Sequence, residues 1–252
     1  MSKPIFLPVG SFRIPLFGLA VAIGLVVGGL VFVRQAVRRG IPSAQAIDMV
    51  AWIASSGLVG ARLMYVIANV DYYLPAPQRI LLLSQGGLSW FGGLAGGLVA
   101  AWLYTKRTGV PFTHLADALS PAAALGYAIA RLGCDLYGIP TTVPWGVWVD
   151  GVRRHPTQLY AASASFLIYL HLRRWESRTR YSGELFLRYL ALYGLIRFGL
   201  EFLRGEPVLG IVPLSAGQVV SVLLVVVASA VAFRRHRATC AQHCVRTGRV
   251  GR

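Results

Sequence analysis

Acidic side chains are nearly missing from this sequence: nine Asp and Glu stand against 25 Lys and Arg in 252 residues, a formal net charge of +16. Charge of either sign is scarce too, at 13% of residues. With 56% hydrophobic residues and a mean hydropathy of +0.60, too few ionic groups are present to describe a soluble domain. Three cysteines, Cys134 in an apolar stretch and Cys240 and Cys244 in a basic tail, form neither a disulfide framework nor a metal-binding pattern. His236 and His243 are too isolated to suggest a metal site. The sequence also lacks an obvious internal repeat and charge spread through the membrane thickness, which argues against a transporter or channel. A polytopic membrane protein remains. Its basic residues occupy short loops between apolar runs, so the positive charge is read as membrane topology and no nucleic-acid partner is expected.

Apolar windows near the length needed to cross roughly 30 Å of hydrocarbon predict seven helices, at approximately 14–33, 46–67, 88–104, 115–136, 157–172, 184–204 and 213–233. No small-residue cleavage site follows the run from Leu16 to Val33, so the first is expected to be a retained span. Basic clusters alternate along the chain. Arg34, Arg38 and Arg39 follow the first span, Lys106 and Arg107 the third, Arg173, Arg174, Arg178 and Arg180 the fifth, and Arg234, Arg235 and Arg237 the seventh. These loops are expected to be cytoplasmic, which puts the N-terminus outside and the C-terminus inside. The expected fold is therefore an all-α bundle of seven transmembrane helices. Residues 1–237 form one membrane domain, and 238–252 a basic tail on the anionic inner leaflet.

Two outer loops read as structured. Residues 68–87 combine Tyr72, Tyr73, Pro75 and Pro77 with the run Ile80 to Leu83, which suits an arm lying in the interface. Residues 137–156 carry Trp145 and Trp148 where headgroups begin. Together they imply a small cap over the outer face. The third span holds glycine pairs at 86–87, 92–93 and 96–97, a density that allows close helix approach. Gly92 and Gly93 are also candidates for backbone that a bound lipid approaches.

The segment from Tyr193 to Arg204 places Arg197, Glu201 and Arg204 on one helical face, since they are four and three residues apart. Ionisable groups within a span mark functional sites by default, although such a triad also serves to pin two helices together. Three spans run from inside to outside. At 1.5 Å per residue, Arg62, Arg131 and Arg197 reach one outer layer, roughly 20 to 24 Å from the inner end. Glu201 is the one carboxylate at hand to neutralise them, and the positive excess describes an anion pocket. Guanidinium groups suit phosphate because they form paired, charge-assisted hydrogen bonds. Next to this layer, His155 precedes Pro156, with Gln158 and Tyr160 close behind. His155 is either a proton acceptor or a satisfied structural group.

Five blocks in order, GARLMYVI at 60–67, GGLSWFGGL at 86–94, ARLGCDLYG at 130–138, HPTQLY at 155–160 and YGLIRFGLEFLR at 193–204, resemble the prolipoprotein diacylglyceryl transferases, bacterial inner-membrane enzymes. The likeness runs from about residue 12 to 233. It implies transfer of the diacylglyceryl group from phosphatidylglycerol to the lipobox cysteine thiol of a lipoprotein precursor, with release of glycerol phosphate and without metal or organic cofactor. Arg131 matches the arginine that contacts phosphatidylglycerol, and Arg197 and Glu201 match the charged pair at the headgroup. His155, Gln158 and Tyr160 match the HPxQLY block. With these, Arg62, Arg204, Tyr193, Gly92 and Gly93 complete the candidate site.

The implied chemistry is displacement at carbon by a thiolate, with a phosphate monoester leaving. Arginines would stabilise the charge on the leaving group, and His155 or Glu201 would take the thiol proton. The chain departs from the pattern at four positions. Familiar members carry tyrosine at Phe17, histidine at Phe91, asparagine at Cys134 and glutamate at Ala161. Phe17, Phe91 and Ala161 define the alternative, a catalytically impaired paralogue that binds anionic phospholipid.

Overall fold

A computed structural model describes residues 6–9, 12–82, 86–205 and 214–246, and side chains over 16–82, 86–89, 91–205 and 214–240. The regular structure of the described residues is helical apart from two short hairpins. Strands β1 (Phe6–Val9) and β2 (Phe12–Pro15) pair antiparallel, with Phe6 opposite Pro15. Helices α1 (Leu16–Arg38), α2 (Ser43–Ala68), the short α3 (Val70–Tyr73) and a 3₁₀ turn at Pro77–Leu81 follow. Next come α4 (Trp90–Thr108), α5 (Phe112–Leu132), the hairpin β3 (Val147–Val149) and β4 (Val152–Arg154), α6 (Thr157–Trp175), α7 (Glu184–Arg204) and α8 (Ala216–Arg246).

Three of these are long and apolar enough to cross a membrane by length and composition: α1, α2 and residues 216–240 of α8. Helices α4 to α7, at 19 to 21 residues, reach about 28 to 32 Å but carry more polar groups. Their bounds follow local signals. Helix α5 ends at Leu132, short of the expected 136, where Gly133 lies against Leu16 O and the Ala20 side chain so closely that a Cβ there would meet them at 2.7 and 2.5 Å. Helix α8 continues through the basic stretch to Arg246, because its Arg, Ala and Gln residues are good helix formers.

The chain divides into two compact units. In residues 32–115, α2 and α4 pack through facing glycines. A Cβ on Gly60 would collide with Gly92 O and come within 3.0 Å of Gly96 Cα, and one on Gly96 would collide with Ser56 O. These contacts give Gly92 a packing role between α2 and α4. Gly92 is buried against Gly60 and Met64, and a Cβ on Gly93 would lie 3.5 Å from Ala61 Cβ and Gly57 O. Small residues are used here for backbone contact between helices.

The other unit comprises residues 1–31 and 116–252. Within it α1 meets α5 where Gly24 faces Gly126 and Gly28 faces Ala122. Buried Ala124, Ile168, Leu172 and Leu185 join α5, α6 and α7, with Tyr169, Trp175, Tyr189, Leu192, Tyr193 and Ile196 around them. The buried Asp117 carboxylate accepts the Gly183 and Phe186 backbone N–H groups at 2.7 and 3.0 Å, capping α7 from a neighbouring helix. The β3–β4 hairpin turns at Asp150-Gly151, both with positive φ, the chemistry a two-residue turn requires. Its far strand is stitched to 138–141 by Gly138 N–H to His155 O and Thr141 N–H to Arg153 O, both at 2.8 Å. Ile139 N–H in turn reaches Leu203 O at 2.9 Å, which fastens this segment to the end of α7.

Candidate active site

The unit formed by residues 1–31 and 116–252 contains a narrow cleft, with open space of about 20 Å³, lined by Tyr127, Arg131, Leu136, Thr157, Gln158, Ala161, Arg197, Leu200 and Arg204. Its walls are the last two turns of α5, the first turn of α6 and the last two turns of α7. Each side chain is there for a local reason. Tyr127 and Arg131 are one turn apart, and Arg131 Nε donates to Tyr127 Oη at 2.7 Å with the guanidinium carbon 4.9 Å from the ring centroid. Arg131 Nη1 lies 3.5 Å from Cys134 Sγ. The Thr157 hydroxyl donates to Leu136 O at 2.9 Å, tying the start of α6 to the loop after α5. Gln158 is buried at 7% exposure, and its Oε1 has no hydrogen-bond partner among the described residues.

On α7, Arg197 Nη1 lies 2.7 Å from Glu201 Oε2, and Arg204 Nη1 lies 3.9 Å from the same oxygen. Glu201 does not line the cleft. It stands behind the arginines, 4% exposed, and accepts the Ser215 hydroxyl at 2.9 Å on Oε1. Among the described residues the charged lining is thus three guanidinium groups, with one carboxylate paired to two of them. Beside the cleft, burial and then the Asp135 carboxylate push the Tyr137 phenol above its ordinary value, so it stands as a neutral hydroxyl.

Of the residues singled out from sequence, Arg131, Arg197, Arg204 and Gln158 therefore share this cleft, and Glu201 holds two of the arginines. His155 and Tyr160 are not part of the lining. His155 Nδ1 faces Tyr160 Oη at 3.2 Å, and that oxygen also accepts Trp145 Nε1–H at 2.7 Å. Tyr193 stacks edge-on to Tyr127 with centroids 5.8 Å apart, and so supports the wall from behind. Of the family departures, Ala161 lines the cleft, whereas Phe17 and Phe91 are exposed side chains.

Arg62 lies in the 32–115 unit, and there its reading as a phosphate ligand is corrected. Nε donates to Ile80 O, Nη1 to Gly86 O and Gly87 O, and Nη2 to Arg79 O and Leu82 O, at 2.6 to 3.3 Å. Those five contacts use the donor set of a guanidinium. The charge sits on the Tyr73 ring at 5.3 Å, and the side chain is 7% exposed. Arg62 is the post around which the 79–87 segment folds.

Sequence reading missed Tyr127, Thr157, Ser215 and Gly217. Two of them had a signal. Tyr127 stands four residues before Arg131, and Ser215-Ala216-Gly217-Gln218 has the S-x-x-Q spacing of a capping box.

Comparison with known proteins places these features in a family. The model of the prolipoprotein diacylglyceryl transferase family matches residues 4–234. Phosphatidylglycerol–prolipoprotein diacylglyceryl transferase of Finegoldia magna is 34% identical over 215 residues, covering 83% of this chain and 86% of its own. The protein of the same name from Geobacter sulfurreducens is 36% identical over 233 residues, covering 86% and 89%. That from Clostridioides difficile is 34% identical over 214 residues, covering 83% and 86%.

Proposed function

The chain belongs to the prolipoprotein diacylglyceryl transferase family, and we infer from that membership and from the arginine cleft that it moves the diacylglyceryl group of phosphatidylglycerol onto prolipoprotein. The acceptor in this reading is the lipobox cysteine thiol. A sulfur–carbon bond forms at the glyceryl methylene, the carbon–oxygen bond to phosphate breaks, and glycerol phosphate leaves with the bonding electrons. The observation that carries the reading is the convergence of Arg131, Arg197 and Arg204 on one cleft with a single paired carboxylate. Donors set in advance around a phosphate stabilise the charge that gathers on it as it departs. Gln158, with an unpartnered amide oxygen at the same cleft, is the candidate for a headgroup hydroxyl.

The thiol proton needs an acceptor. Glu201 accepts the Ser215 hydroxyl on one oxygen and is ion-paired to Arg197 through the other, which favours a structural part for it. His155, two residues before Thr157, is the better candidate for proton transfer, and Tyr160 orients its ring. The wider frame of the proposal is a single membrane domain of seven spans over 1–237, N-terminus out and C-terminus in. The 137–156 segment forms an outer cap, 238–252 a basic inner tail, and the protein is placed in the bacterial inner membrane. The binding-only alternative is not favoured, because the relatives bearing the transferase name match more than four-fifths of the chain.

Purified protein incubated with phosphatidylglycerol and a lipobox peptide is expected to add one diacylglyceryl mass to the peptide and release glycerol phosphate in equal amount. Retained lipid with an unmodified peptide would instead select the binding-only alternative.

A further inference from the structure

We propose that Ser215, at the start of α8, is a positioning residue for the reaction, holding Arg197 in the cleft by way of Glu201. The proposal rests on the transferase reading for its consequence in turnover. Ser215 to Gln218 form a reciprocal cap. The Gln218 N–H donates to Ser215 Oγ at 3.2 Å, and the Ser215 N–H donates to Gln218 Oε1 at 2.8 Å. That arrangement needs only an acceptor from the serine. Its hydroxyl proton is left over, and it goes to Glu201 Oε1 at 2.9 Å.

The second carboxylate oxygen is ion-paired to Arg197, whose Nη1 lies 2.7 Å away. The order of contacts is therefore helix start, hydroxyl, carboxylate, guanidinium and cleft. Ser215, Gln218 and Glu201 are 3%, 4% and 4% exposed, so the hydroxyl–carboxylate contact is buried. Gly217 forms the floor beneath the pair. A Cβ there would collide with Glu201 Oε1 and stand 3.2 Å from Arg197 Nη2. The carboxylate is thus held from one side by a donor and from below by bare backbone. Its other oxygen pairs with Arg197, and more distantly with Arg204, both of which line the cleft. A hydrogen bond to a charged group inside a dry site is worth enough to fix a side chain that would otherwise sample several rotamers.

The test compares S215A, S215T, E201A and the double variant S215A/E201A in the full-length protein. Both transfer to a lipobox peptide and binding of short-chain phosphatidylglycerol are measured. S215T keeps the hydroxyl and is expected within about twofold of wild type, while S215A loses about tenfold or more in kcat/KM and binds the lipid more weakly. In the E201A background, S215A is expected to add less than about twofold, since its effect passes through the missing carboxylate. Losses that multiply in the double variant, or S215T as impaired as S215A, overturn the proposal. Wild-type protein that binds the lipid without transferring it removes the transferase reading, and the binding arm of the same cycle then decides the positioning role.

Discussion

Replacing Gly217 by alanine adds one methyl group and is expected to damage activity far more than stability. Built on the backbone, the new Cβ would overlap Glu201 Oε1, lie 2.8 Å from Glu201 Cδ and 3.2 Å from Arg197 Nη2. Normal separation requires the carboxylate to move by on the order of 1 Å, and the Ser215 hydroxyl and Arg197 must follow or let go. Overpacking of this kind costs roughly 1–3 kcal/mol, and exchanging glycine for alanine in a helix returns about 1 kcal/mol. The net change in stability is then about 0–2 kcal/mol. A displacement of ~1 Å in a positioned catalytic group lowers rate by up to about a hundredfold, so kcat/KM should fall between ten and a hundredfold. Gly199 is the matched control. It lies two residues from Arg197 on the same α7, and a Cβ there meets nothing within 4 Å. G199A should keep full activity. Steady-state transfer together with thermal unfolding in detergent reads both quantities. G217A at wild-type kcat/KM, or G199A as impaired as G217A, refutes the steric argument.

Three further outcomes are expected. Y127F removes the oxygen that accepts Arg131 Nε–H, and should raise KM for phosphatidylglycerol about tenfold with little change in melting temperature, read by lipid titration of the transfer rate. R62A strands the carbonyls of Arg79, Ile80, Leu82, Gly86 and Gly87, and should cost about 3 kcal/mol or more, seen as a lowered unfolding midpoint. An unchanged midpoint would show that the 79–87 segment does not depend on the guanidinium. G92A forces α2 and α4 apart at Gly60 and should destabilise by roughly 1–3 kcal/mol, while the folded fraction keeps its affinity for phosphatidylglycerol.

How much of this was legible in the sequence depends on where each partner lies. The face shared by Arg197, Glu201 and Arg204 is set by helical spacing alone, and the bounds of α7 coincide with the predicted span. Arg131 could be placed near them by counting residues along neighbouring spans. The same counting misled for Arg62. Its acceptors are backbone carbonyls 17 to 25 residues further on, in a loop whose side chains announce no such role. Gly92 and Gly93 were ambiguous because bare backbone serves a helix or a ligand equally well. The facing Gly60 on α2 gives Gly92 its packing role. Ser215 was hidden for another reason. Its capping spacing is visible, but the carboxylate that takes its proton lies 14 residues upstream, and only folding brings the two together.

The central claim is that guanidinium groups from α5 and α7 act on one phosphate. Transfer of diacylglyceryl from phosphatidylglycerol to a lipobox peptide by R131A and by R197A, each checked for wild-type-like melting, tests it most directly. Turnover lowered by about a hundredfold or more in both is the expected result, as for loss of a donor at a developing negative charge. Wild-type turnover in both variants contradicts it.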